Sequence, residues 1–275
     1  MEWHPEVAEY IQPEWFAEGY INREVSPGVD DFEIFDTARR LNWSVAIKGP
    51  TGSGKTSAVY AWAAQEGIPI YSVPCNGAAD PSTLFGSYVP DEDGGFKWSD
   101  GPVTKLARYG GILLLNEVNF LPPKVAATLF KLLDKRRSIS LVEHDEVIDA
   151  HSELMVVADY NEGYAGTRAL NKGFLNRFAL KLNFDYDKNI EESLVYSKTL
   201  LVIAGLLRTA FNNGEIETPI ATNMLPEFET VAAEISFDAA IDNFINAFSE
   251  DEMMAVRKVF DLHRAGLESD YGVTY

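Results

Sequence analysis

Residues Gly49, Pro50, Thr51, Gly52, Ser53, Gly54, Lys55 and Thr56 make a run whose types and spacing suit one task, gripping phosphate. The pattern G-x-x-x-x-G-K-T places glycines where backbone N–H groups can curl round an anion. A helix starting just after it would add the positive end of its dipole. Lys55 is spaced to reach β- and γ-phosphates, and the Thr56 hydroxyl to hold Mg2+. A β-rich run before the loop, residues 43–48, and a helical pattern over 54–66 supply the strand–loop–helix context the motif needs.

Three further positions could complete a phosphoryl-transfer site. The run Ile112-Leu-Leu-Leu-Asn116-Glu117 reads as a buried strand ending in polar residues. In enzymes with this loop such a strand ends in an acid that supports Mg2+, and a following Glu polarises the attacking water. Glu117 fits the second role. Asn116 stands at the metal-supporting position, where its carbonyl can still accept a bond from a magnesium-bound water but brings no charge. At the end of the next apolar run, Asp159-Tyr160-Asn161, the Asn161 amide could touch the γ-phosphate or orient the water; asparagine after a strand is also an ordinary turn former. Arg177, in Asn176-Arg177-Phe178, could supply charge to a neighbouring subunit's phosphate as a finger in trans, or simply be solvated.

Apolar runs alternating with helical patterns position these residues, the signature of a parallel α/β sheet. Helices are expected over 31–41, 54–66, 103–108 and 123–136, and strands over 43–48, 68–73, 111–116, 154–160 and 178–183. The Gly-, Pro- and Asp-rich stretch 80–101 reads as a short helix plus a loop or hairpin, and 138–150 as a hairpin. Beyond residue 185 the pattern is helical to the end, with breaks near 212–214 and 218–219. The expected organisation is an acidic aromatic arm over 1–27, an α/β nucleotide-binding core over 28–185, and a helical lid over 186–275.

Composition narrows the partners. The chain has 275 residues with 23 Lys+Arg against 42 Asp+Glu, a net charge of −19, which argues against a general binder of nucleic acid or anionic membrane. The charge is uneven: nine acids face one base over residues 1–35, sixteen face six over 186–275, but seventeen face sixteen over 36–185. A near-neutral centre between acidic flanks suits a polyanionic ligand; solvated helical surfaces would give the same pattern. One cysteine, Cys75, excludes an internal disulfide and a Cys-based zinc cage. No apolar run reaches the ~20 residues of a membrane span, and the acidic start has no leader pattern. A soluble cytoplasmic protein is expected.

Together the segments GPTGSGKT, ILLLNEVN, VVADYN and LNRF resemble the layout of AAA+ ATPases. More narrowly they look like the MoxR-type, dynein-related branch, in the subgroup of CbbQ/NorQ-like activators and gas-vesicle ATPases. Asp80-Pro-Ser-Thr-Leu-Phe-Gly86, Trp98-Ser-Asp-Gly-Pro102, Leu133-Asp-Lys-Arg-Arg137 and Asp159 to Gly163 carry the finer likeness. The resemblance implies a P-loop core with a helical lid, ATP and Mg2+ as ligands, and a homo-oligomer, a hexameric ring, that remodels a protein client beside a von Willebrand factor A domain adaptor. It implies that Lys55 and Thr56 are Walker A, Asn116 and Glu117 Walker B, Asn161 sensor 1 and Arg177 the arginine finger. The stretch 90–98 falls where this branch carries a pore-facing insertion. Arg136 and Arg137 match a basic pair that faces the neighbouring nucleotide or caps the preceding helix.

Two positions depart from the family pattern: Asn116, where an Asp is usual, and Asn223, where the lid has an Arg. Both remove charge that manages the γ-phosphate, so hydrolysis is expected to be slow. A nucleotide-gated assembly scaffold with little turnover is the alternative reading. A nucleic-acid motor is a more distant one, against which the acidic Asp91-Glu92-Asp93 tip stands. The loop does not read the base, leaving ATP and GTP both open.

Overall fold

The apolar runs become five parallel strands in the computed structural model: β1 (Val45–Lys48), β2 (Ile70–Pro74), β3 (Gly111–Asn116), β4 (Leu154–Tyr160) and β5 (Leu180–Asn183), in the order β5-β1-β4-β3-β2. The structure describes residues 2–75, 79–161 and 172–272. They divide into two units, residues 1–49 with 55–184, and residues 50–54 with 185–275.

In the first unit both faces of the sheet are covered, which is why its strands read as continuous apolar runs. Side chains alternate between faces along each strand. Ile47, Ile112, Leu114 and Val157 join the cluster that holds Phe35 of α1 (Asp31–Arg40) and Trp62 of α2 (Lys55–Gln65). Ala46, Leu113, Leu115 and Ala158 join the opposite one, with Leu106 of α3 (Pro102–Tyr109) and Leu129 of α4 (Pro123–Leu133). Every residue of β4 is buried. Helix α1 starts at a capping box, where the Asp30 carboxylate accepts from the Glu33 N–H at 2.9 Å and the Glu33 side chain accepts from the Asp30 N–H.

The aromatic-rich start lies along the sheet edge. Val7 is fully buried, the Ile70 N–H donates to the Tyr10 carbonyl at 3.1 Å, Ile11 bridges Pro69, and the Trp3 indole donates to the Gly67 carbonyl at 2.9 Å. These contacts cover the otherwise open side of β2, where unpaired backbone groups would invite other strands.

Two hairpins flank the sheet, Gly86–Pro90 with Phe96–Asp100 and Ser138–Leu141 with Glu146–Asp149. Arg108 ties them, donating to Asp100 Oδ2 at 2.6 Å and to Glu146 Oε1 at 2.8 Å, and Trp98 of one stacks on His144 of the other at 4.7 Å. Helix α4 stops at Leu133, three residues short of its expected end: Asp134 is extended and Arg137 takes a left-handed φ of 45°, turning the chain into the second hairpin. Strand β5 starts two residues later than expected because Phe178 belongs to the apolar cluster under the sheet.

The second unit is built of α5 (Lys188–Leu194), α6 (Lys198–Asn212), α7 (Met224–Glu234), α8 (Phe237–Ile245) and α9 (Glu250–Tyr271). Phe228 sits at the centre of its core, with the Phe260 ring 5.9 Å and the Phe244 ring 6.3 Å away. The expected break after residue 212 falls at the end of α6, with Gly214 in the left-handed region at φ +74°. Among the described residues no helix is long and apolar enough to cross a membrane.

Candidate active site

In a parallel sheet all strands finish at one edge, and ligands bind beyond their carboxyl ends. Strands β1, β3 and β4 deliver Gly49, Asn116–Glu117 and Asp159–Asn161 to that edge of the first unit, where α2 begins with Lys55 and Thr56.

Lys55 is 7% exposed, and its ammonium donates to the Gly49 carbonyl at 3.0 Å and to Asn161 Oδ1 at 2.7 Å. Burial holds its pKa below the ordinary lysine value, partly offset by the negative charges of Asp159 and Glu117. Asn161 is itself buried, so the amide expected to orient a water or touch a phosphate lies against the cation expected to bind one.

Thr56 donates its hydroxyl hydrogen to Asp159 Oδ2 at 3.0 Å, and the other oxygen, Oδ1, accepts the backbone N–H of Glu117 at 2.8 Å. Asp159 is 1% exposed. Burial pushes its pKa up, against the lowering effect of the Glu117 N–H, the Lys55 charge and the Thr56 hydroxyl. Glu117 has a left-handed backbone, φ 55°, uncommon for a residue with a side chain. This leaves its side chain exposed while its N–H turns inward to Asp159. Asn116 is half-buried, and its carbonyl accepts the Cys75 N–H at 3.0 Å.

Asp159 does not stand at any position to which the motifs give a role, whereas Asn161 does. The signal was present: an acid inside Leu-Met-Val-Val-Ala-Asp-Tyr, an otherwise apolar core strand, has to be paired or functional. Glu162 and Gly163, which carried part of the family likeness, lie outside the described residues.

Residues 50–54 belong to the helical unit. The Thr51 carbonyl accepts the Tyr186 hydroxyl at 2.9 Å, and the Gly52 carbonyl accepts the Thr222 N–H at 3.2 Å. Behind them Arg208 forms a fork with Glu191 at 2.7 and 2.8 Å, donates to the Ile220 carbonyl at 3.0 Å, and lies 3.8 Å from the centre of the Tyr186 ring. Thr222 donates to the same Glu191 at 2.6 Å. This half-buried network holds Tyr186 and Thr222, and through them the backbone of Thr51 and Gly52. Pro50, Ser53 and Gly54 complete the loop. Asn223, at the expected lid-arginine position, donates to Glu227 at 2.9 Å.

Arg177 is not gathered with Lys55 and Asp159. It donates to Asp134 Oδ1 and to the Gly173 carbonyl, both at 2.7 Å, with its guanidinium 4.9 Å from the centre of the Phe130 ring. Of the basic pair, Arg136 is exposed, while Arg137 turns inward and donates to the Leu154 carbonyl. It therefore does not cap α4.

The donors that the structure brings together at the strand edge are hard oxygens, the Thr56 hydroxyl and the Asp159 carboxylate, with the Glu117 carboxylate exposed beside them. They fit Mg2+, which keeps waters and substrate phosphates in its shell and needs no dedicated protein cage. The glycine pattern with its helix N-terminus fits the phosphates.

The chain is similar to known proteins. The family model described as AAA domain (dynein-related subfamily) matches residues 44–178. The chain is 34% identical over 166 residues to the denitrification regulatory protein NirQ of Pseudomonas aeruginosa, which covers 60% of this chain and 63% of NirQ. It is 35% identical over 158 residues to CbbQ of Hydrogenophilus thermoluteolus, covering 57% and 58%. It is 30% identical over 209 residues to NorQ of Paracoccus denitrificans, covering 72% and 77%. The aligned part thus spans less than two thirds of the length of NirQ and CbbQ.

Proposed function

The chain belongs to the dynein-related AAA family, among the MoxR-type AAA+ ATPases with NirQ, CbbQ and NorQ, and from that premise we propose that it binds ATP with Mg2+, hydrolyses it, and uses the cycle to remodel a protein client as a homo-oligomeric ring. The observation that carries the reading is the cluster of Lys55, Thr56, Glu117, Asp159 and Asn161, drawn from three separate stretches of chain.

Lys55 neutralises charge on the β- and γ-phosphates and Thr56 offers a hydroxyl oxygen to the metal. Glu117, exposed beside them, is free to polarise a water for attack on the γ-phosphorus, and Asn161 holds that water in line once it gives up Lys55. Mg2+, when bound, supplies positive charge against that developing on the phosphate oxygens. Arg177 serves the nucleotide of a neighbouring subunit. A von Willebrand factor A domain adaptor is the expected companion, and the description of NirQ as a regulatory protein supports a regulatory rather than a metabolic task.

The test is steady-state hydrolysis of ATP by the purified protein beside Glu117→Gln. The expected result is turnover that falls at least about 100-fold in the variant, the scale of a lost general base. A slow scaffold is the second reading, favoured by the neutral Asn116. Bound ATP with no turnover in the parent and none after addition of client or adaptor would establish the scaffold instead.

A further inference from the structure

We propose that Asp159 has taken over the metal-supporting role that the chain has lost at Asn116, so that the carboxylate serving the Mg2+–nucleotide stands one strand over, on β4. This rests on the nucleotide reading above and deepens it.

Register places the two residues side by side. Strands β3 and β4 pair Leu114 with Val157 and Leu115 with Ala158, so the next step sets Asn116 beside Asp159. Leu114 and Val157 share one apolar cluster, and residues two further along each strand project to the same face. The two positions are therefore equivalent in height and direction, one strand spacing of ~4.8 Å apart. Moving the acid from one to the other keeps it at the carboxyl edge, where Asp159 meets Thr56.

What Asp159 touches is what such an acid needs to touch. A threonine hydroxyl has one hydrogen and two lone pairs. Because the hydrogen goes to Asp159, the lone pairs are left for a cation. The other carboxylate oxygen holds the Glu117 N–H and so fixes the left-handed turn that presents the Glu117 side chain. One residue thus orients a metal ligand and the water-polarising acid together. Burying a carboxylate to 1% exposure is costly. The apolar strand around it gives no structural need for a charge there, since Val156, Val157 and Ala158 pack without one. Asp159 acts through Thr56 and Glu117 and is a positioning residue.

The experiment measures binding of a fluorescent ADP analogue to the full chain, with and without Mg2+, and reports the ratio of the two affinities. Asp159→Asn is expected to shrink the ratio by about 10- to 100-fold, the range for losing a residue that orients a metal ligand. Asn116→Asp combined with Asp159→Asn is expected to restore most of it, since the acid returns to the neighbouring strand. Asn116→Asp alone leaves the Asp159 carboxylate in place and does not depend on the first variant folding. If Asp159 already fills the role, it changes the ratio less than about threefold, well below that range. A tenfold or larger gain from Asn116→Asp alone would mean the role was vacant and overturn the proposal, as would a ratio unmoved by Asp159→Asn. Failure of the parent to bind the analogue at all would overturn the nucleotide reading, and this proposal with it.

Discussion

Lys55 and Asn161, 106 residues apart in sequence, meet at 2.7 Å with the lysine ammonium donating to the asparagine side-chain oxygen. The two groups expected to manage the γ-phosphate are thus hydrogen-bonded to each other, a buried cation against a buried amide.

Asn161→Ala is expected to lower kcat by about 100-fold, the scale of one preorganised polar group, while the Kd for ATP moves much less. Equal losses in kcat and Kd would show that Asn161 merely holds Lys55 in place. Binding by calorimetry and turnover under saturating ATP separate the two.

Arg177 has in-chain partners in Asp134 and Phe130, yet the proposed ring requires it to work across an interface. Arg177→Ala and Glu117→Gln are each expected to be inactive alone. Mixed in equal amounts and allowed to exchange subunits, they should regain about a quarter of the parent rate, from head-to-tail interfaces that combine an intact site with an intact finger. A mixture as dead as its components would place the arginine's action within its own chain.

Gly52 stands at φ +70°, and a Cβ there would lie 2.2 Å from the Ala221 Cβ. Gly52→Ala therefore combines a left-handed backbone with a clash against backbone-anchored neighbours. A loss of about 1–3 kcal/mol is expected in urea unfolding, together with weaker ATP binding. An unchanged midpoint would show that the loop leaves Ala221 at no cost.

Glu252 gives the helical unit a pH signature. Burial pushes its carboxyl up, but hydrogen bonds from Thr218, the Glu217 N–H and Ser249 outweigh this and hold it at about 2, against an ordinary 4.5. A carboxylate with a folded pKa below its unfolded one contributes stability in full above the unfolded value and loses it as pH falls through the folded one. The urea midpoint of the parent should thus drop between pH 4.5 and about 2, with a shallower drop in Glu252→Gln. At pH 7 that substitution is expected to cost about 1–3 kcal/mol, because several donors lose their anion. Parallel pH profiles for the two proteins would refute this account.

Local pattern decided much of this protein. The loop from Gly49 to Thr56, the apolar run ending in Asn116 and Glu117, and the break after Asn212 were legible because each depends on residues close in sequence: backbone conformation, side-chain period and turn chemistry. The five strands and their helices followed from the same periods. Tertiary structure alone decided that Asp159 meets Thr56 and the Glu117 N–H, that residues 50–54 join Tyr186 and Thr222, that Tyr10 and Ile11 cover the edge of β2, and that Arg177 rests on Asp134. The physical reason is that each joins residues far apart in sequence. Which strand lies beside which, and in what register, is set by burying both faces of the sheet at once, and a chain read residue by residue shows which side chains must be buried but not which distant ones they will meet.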